Sequence, residues 1–442
     1  MQRNLTEGSL LKNIAVFSLP YLLSYFLQTL YGMADLFIVG QYNEAGSISG
    51  VAIGSQVMHM ITVMIVGLAM GSVVMIGRYV GSKNQRAISK TIGNTITLFA
   101  IVAAALMAVL LVLVNPIVSV MSTPAEAVAE TRAYLTICFI GIPFIVAYNI
   151  IASIFRGMGD SRSPMYFIAI ACVVNIGLDY LFIGALGMKA QGAAWATIIA
   201  QAFSVAVSLL AIIKKKMFTI RRSDLALDRE TVNPILKTGV PVALQDGFIQ
   251  ISFLVITIIA NARGVEISAA VGIVEKIISF LFLVPSSMMS TVSAISSQAI
   301  GAEKKELARK SLFTGMFISA GIGLVIAIIV QFAGASILSW FTSDENVVAL
   351  GVTYFRSYVF DCVIASFHFC FSGFFVASGY SYISFIHNVI SILVMRVPGA
   401  YYASVHYPDT LFPMGMAAPL GGVVSLIVCI IAYVRLRKHE KI

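Results

Sequence analysis

Charge is what this sequence has least of. Only 11% of its 442 residues are Asp, Glu, Lys or Arg, and 59% are hydrophobic. The mean hydropathy is +0.93. That balance excludes an ordinary soluble globular protein, in which about 25% of residues are charged. Cysteine is scarce too. Cys138, Cys172, Cys362, Cys370 and Cys429 all fall inside apolar runs without a C-x-x-C pair, which excludes a disulfide framework or a cysteine metal site and leaves small packing residues. The five histidines, His59, His368, His387, His406 and His439, form no H-E-x-x-H, and no nucleophile–base constellation accompanies them. A membrane-embedded enzyme is therefore the weaker reading, and no filter-like segment argues for a channel.

Long apolar runs, each sufficient to cross the hydrocarbon core as helix at about 20 residues, fill the chain instead. Twelve spans are predicted, over 12–39, 47–77, 88–114, 127–155, 163–185, 191–213, 233–262, 269–300, 308–332, 347–377, 383–405 and 412–435. The first is too long for a signal peptide and lacks an A-x-A-like site, so it is expected to stay in the mature protein. The expected fold is an all-α integral membrane protein with no soluble domain.

The 29 Lys and Arg residues are distributed unevenly over the loops. With both termini and the loops after even-numbered spans on one side, 23 of them gather there: Arg3, Lys12, Arg78, Lys83, Arg86, Lys90, Arg156, Arg162, seven between Lys214 and Lys237, Lys304, Lys305, Arg309, Lys310, Arg435, Arg437, Lys438 and Lys441. Arg132, Lys189, Arg263 and Arg356 fall opposite, and Lys276 and Arg396 lie inside spans. This bias predicts cytoplasmic termini in a multi-pass protein of the cell membrane. The net charge of +9 is then a topology signal, and a nucleic-acid partner is not expected.

The chain repeats itself at half its length. GSKNQRAISKT (81–91) aligns with GAEKKELARKS (301–311), and FRGMGDSRSP (155–164) with FVASGYSYIS (375–384), both offset by 220, while Pro20 and Pro241 agree within one residue. Six spans per repeat is an even number, so the repeats are parallel and related by a pseudo-twofold axis along the membrane normal. Residues 1–213 form the predicted N-terminal lobe, 214–232 a cytoplasmic linker and 233–442 the C-terminal lobe. The linker, KKKMFTIRRSDLALDRE over 214–230, reads as a solvated basic loop that also attracts anionic membrane lipids. Two lobes with a cleft between them suit alternating access.

Ionisable residues inside spans mark an ion or substrate path by default. Asp35 lies near the outer end of the first span. Asn175 and Asp179 stand at i and i+4 of the fifth, and Thr197 and Gln201 share that spacing in the sixth. Two carboxylates and an amide within reach of each other suit a proton or a hard cation. Asp35, Asn175, Asp179 and Thr197 are the predicted H+ or Na+ coupling residues, with no resident metal or cofactor beyond a possible Na+ at Asp35, Asn175 and Asp179. Gln28, Gln201, Gln245, Asp246, Asp361 and His368 are the candidates to line a substrate cleft. Glu275 and Lys276 read as mutual neutralisation near an interface. Arg396, just before Pro398, reads as a structural cation bonded to carbonyls freed by a kink.

SLPYLLSYFLQTLYGMADLFIVG (18–40), IGRYVGSKN (76–84), FRGMGDSRSPM (155–165), NIGLDYLFIGALGMKAQGAAWAT (175–197) and FCFSGFFVASG (369–379) resemble the multidrug and toxic compound extrusion (MATE) transporters, in their DNA-damage-inducible prokaryotic type. The resemblance covers essentially the whole chain. It implies a secondary active exporter that exchanges H+ or Na+ for organic, often cationic and lipophilic, compounds. It also implies that Asp35 is the first-helix coupling aspartate, that Asn175 and Asp179 share its site with Thr197, and that Pro20 bends helix one. Ile249 replaces a glutamate of the other bacterial branch, whereas Asp361 resembles that branch's acidic residue of helix ten. The coupling ion and a second-lobe site at Asp361 stay open, as do the substrates. A monomer is expected. The alternative within transport is a flippase for lipid-linked saccharides, which should carry several cations for a pyrophosphate; only Lys276 and Arg396 lie inside spans.

Overall fold

A computed structural model describes residues 4–215 and 218–439. Arg3, Lys216 and Lys441, counted above for topology, lie outside those residues, as does Met217 of the linker. The described chain is helical, with eleven helices long and apolar enough to cross a membrane and one bent pair that supplies a twelfth span. In order they are α1 (Leu10–Tyr42), α2 (Ala45–Gly81), α3 (Gln85–Val120), α4 (Ala125–Ile140 with Ile142–Gly157), α5 (Arg162–Ala185), α6 (Lys189–Lys214), α7 (Arg229–Asn261), α8 (Val265–Gly301), α9 (Lys305–Leu338), α10 (Glu345–Ser378), α11 (Ser381–His406) and α12 (Phe412–Lys438).

The fourth span breaks at Gly141, where its halves bend by 52°. A side chain at Gly141 would run into Ile198 of α6, and Pro143 follows at the start of the second half. Two spans widen locally into π-turns, over Tyr180–Ala185 of α5 and Ile392–Arg396 of α11. No periodicity in the sequence signals either.

Two compact units emerge, and each draws its first helical turns from the opposite half of the sequence. The first comprises Leu19–Gly239 and the second Leu5–Ser18 with Val240–Ile442. Consequently α1 changes unit one residue before Pro20, and α7 changes unit one residue before Pro241. In the first unit the start of α7 lies tight against α2, because Gly71 and Gly239 leave no room for a Cβ beside the Ile235 and Leu68 carbonyls. In the second, the Leu5 amide donates to Gln298 Oε1 at 2.9 Å, and Asn13 Nδ2 donates to the Glu7 carbonyl at 2.8 Å. Small residues recur at such crossings since, without a hydrophobic force between helices in lipid, close packing carries association.

The described part of the linker is ordered against α3. Arg86 pairs with buried Asp224 at 2.8 Å and Lys90 with Asp228 at 2.8 Å. Asn94 clamps both strands of the loop, its Nδ2 donating to the Asp224 carbonyl at 3.0 Å and its Oδ1 accepting from the Asp228 amide at 2.7 Å.

Candidate functional site

In the first unit three helices each present an i, i+4 polar pair to one place. α1 supplies Tyr31 and Asp35, α5 Asn175 and Asp179, and α6 Thr197 and Gln201. Successive positions at this spacing stack on one helix face, so the pairs form rungs. Thr197 Oγ1 donates to Asp35 Oδ2 at 3.1 Å, and Gln201 Nε2 donates to the Tyr31 hydroxyl at 3.3 Å. Asp179 and Asn175 lie beside the Asp35 carboxyl, yet Asp35 Oδ1, both Asp179 oxygens and both Asn175 amide atoms have no hydrogen-bond partner.

Burial is nearly complete, with Asp35 2% and Asp179 0% exposed. Among the described residues no Lys or Arg forms an ion pair with either carboxylate. Desolvation and like-charge repulsion together make the doubly ionised pair untenable. A carboxylate pair buried in this way suits exchange of a proton or a small cation. The π-turn of α5 begins directly after Asp179, and π-bulges often lie at functional sites.

All four predicted coupling residues meet here, and Gln201 joins them. Gln28 is only half-buried, on the α1 turn below. Pro20 lies inside an α1 that continues unbroken through it.

The second unit holds a different arrangement. Arg396, at the end of the α11 π-turn, donates from Nη2 to the Tyr358 hydroxyl at 2.6 Å, and its guanidinium lies over the Phe253 ring at 4.5 Å. Its charge interacts with both Asp361 and Glu275 without touching either. This corrects the sequence reading that Arg396 bonds carbonyls freed by the kink. The reading of Glu275 with Lys276 also changes: Glu275 is buried and accepts from Thr257 Oγ1 at 3.4 Å, while Lys276 is exposed.

A cavity of about 40 Å³, room for a few waters, lies inside this unit between Asp361, His368, Asn388 and Arg396. Asp361 Oδ1, His368 Nδ1 and Arg396 Nε are buried there without a partner. Glycines at 421 and 422 of α12 make the space, since side chains there would collide with Ser391 and Asp361. Gln245 is buried with its Oε1 unpartnered, and Asp246 is half-buried with no hydrogen bond among the described residues. Neither lines the cavity. The sequence reading offered Asp361 and His368 for a cleft between lobes; they line this cavity within the second unit, and Asn388 and Phe253 beside them, with Tyr358 bonded to Arg396, were missed because their convergence depends on contacts between distant helices. Among the described residues no group of three or more His, Cys, Asp and Glu has the geometry to hold a metal ion.

The MatE family profile matches this sequence twice, over residues 20–181 and 241–402, two equal segments that restate the internal repeat. The Probable multidrug resistance protein YpnP of Bacillus subtilis (strain 168) is 27% identical over 395 residues, covering 89% of this chain and 88% of the relative. The Probable multidrug resistance protein NorM of Thermotoga maritima is 25% identical over 344 residues, 77% of this chain and 74% of its own. The crystal structure of a MATE protein in the straight conformation covers 99% of both chains with a TM-score of 0.92 at 22% identity. At that identity the likeness shows the fold, twelve helices in two lobes.

Proposed function

The chain belongs to the MatE family, the MATE multidrug efflux transporters, and from that premise we propose that it is a secondary active antiporter that exchanges H+ or Na+ for lipophilic, often cationic organic compounds by alternating access. It is a multi-pass membrane transporter and not an enzyme. The observation that carries the antiport reading is the Asp35–Asp179 pair, buried together with Asn175 and Thr197 and, among the described residues, answered by no basic side chain.

Ion entry neutralises the pair and ion loss charges it. Because Asp35 is on α1, the charge state is tied to that helix, and Pro20, which leaves the Val16 carbonyl without its helical donor inside an unbroken helix, is the weak point at which a change of charge bends it. Coupling requires that ion and drug favour different conformations, since a ligand shifts an equilibrium only by its differential affinity. The termini face the cytoplasm, as the Lys and Arg bias supports, and the protein works as a monomer. A pyrophosphate-lipid flippase is not favoured, because Arg396 is enclosed by Tyr358 and Phe253.

The test is dye or fluoroquinolone transport in everted membrane vesicles with pH and Na+ gradients imposed separately. Transport driven by one of them, and lost in Asp35→Asn, is expected. Transport that persists with both gradients collapsed refutes antiport.

A further inference from the structure

We propose that the second unit binds the phosphate headgroup of an anionic membrane lipid, in a groove between the first turns of α9 and the last turns of α12. The groove measures about 290 Å³. Arg309 and Lys310 line it from α9 and Arg437 from α12, with Glu306 the one acid among them. The Glu306 carboxylate reaches Arg309 Nη1 at 3.9 Å and Lys310 Nζ at 3.7 Å, long pairs between half-exposed or exposed groups that a phosphate can displace. Arg437 forms no ion pair among the described residues.

The floor is aromatic. Tyr433 is 7% exposed and stacks edge-on with Phe313 at 6.0 Å, backed by Phe371 at 5.7 Å. Tyr433 lines the groove together with the three cations, and its hydroxyl makes no hydrogen bond among the described residues. Guanidinium, ammonium and phenol donors converging on one concavity are the chemistry that recognises a phosphate monoanion.

The surroundings decide between a lipid and a free phosphate ester. Phe313, Phe317 and Leu324 are 39%, 67% and 53% exposed and lie along one face of α9, leading away from the groove. Acyl chains following that stripe place the headgroup among the cations. The groove also stands where the charged ends of α9 and α12 meet their apolar runs, as the headgroup layer requires of its contacts.

The test uses native mass spectrometry of the purified full chain in detergent, titrated with phosphatidylglycerol, phosphatidylcholine or glycerol phosphate. One phosphatidylglycerol is expected to be held in preference to phosphatidylcholine, with glycerol phosphate far weaker. Lys310→Gln with Arg437→Gln lowers that affinity about tenfold or more. Glu306→Gln raises it, and Tyr433→Phe lowers it without moving the unfolding temperature. Arg435→Gln with Lys438→Gln removes as much charge, from the end of α12 but outside the groove, and leaves the adduct intact. Equal retention of the two lipids, an equal loss in the control pair, or glycerol phosphate bound as tightly as the lipid overturns the proposal.

Discussion

Asp35 and Arg396 are both buried ions, and they answer their burial in opposite ways. Asp35 faces a second carboxylate, so on the proposed exchange removing its charge relieves repulsion and abolishes the exchangeable ion. Asp35→Asn is therefore expected to fold and to unfold at an equal or higher temperature. It should still bind drug, and lose its gradient-driven efflux; scanning fluorimetry and vesicle transport read the two effects. Arg396 brings its own partners. Arg396→Ala removes the bond to Tyr358 and the stacking on Phe253 and leaves Asp361 and Glu275 without their shared cation. Breaking a buried charge cluster from one side costs about 3–5 kcal/mol. Arg396→Lys should recover little of this, because an ammonium neither stacks flat nor donates from the same place. Adding Glu275→Gln and Asp361→Asn to Arg396→Ala is expected to restore part of the lost unfolding temperature.

At the scale of the element, the linker is a strap and its chemistry fixes its pH behaviour. The Lys90 ammonium, then Thr231, hold the Asp228 carboxyl below its ordinary range. A carboxyl depressed in the folded state contributes stability above its unfolded value and loses it as pH falls through the folded one, so the strap weakens only below about pH 4. At neutral pH, Asp224→Asn should loosen it instead, by removing the Arg86 ion pair at 2.8 Å and leaving one acceptor oxygen where the carboxylate serves both Arg86 and the Arg221 amide at 2.9 Å. Faster hydrogen exchange over residues 218–228, with α3 unchanged beyond Leu98, is the expected result. Much at this scale was legible in the sequence. Hydropathy alone predicts the twelve spans, and the i, i+4 spacing of Asn175 with Asp179 predicts a shared face. The break at Gly141, the π-turns after Asp179 and before Val397, and the partnership of Arg396 with Tyr358 were not legible. Each depends on what another helix presses against that point, as Ile198 does at Gly141, and a single segment carries no record of its neighbour.

At the scale of the whole molecule, the exchange reading makes a demand that transport rates alone do not test. If drug and ion compete through the same conformational equilibrium, each must weaken the other's binding by one and the same factor. With Asp35 and Asp179 sharing a proton at rest, drug addition to the purified, weakly buffered protein should expel that proton into solution, and lowering the pH should weaken drug affinity by the corresponding factor. A Na+-coupled protein should release Na+ in its place, with drug affinity falling as Na+ is raised at constant ionic strength. Asp35→Asn should bind drug with no release of either ion, because the remaining Asp179 has lost the like charge that made its environment exchangeable. Asp361→Asn discriminates between one site and two: if exchange resides in the first unit, this variant leaves the released amount unchanged, since Arg396 already stands as the fixed counter-charge in the second. Calorimetry in buffers of different ionisation enthalpy measures the proton count directly, and a drug-binding enthalpy independent of buffer, together with unchanged affinity across Na+ concentrations, would defeat the exchange mechanism.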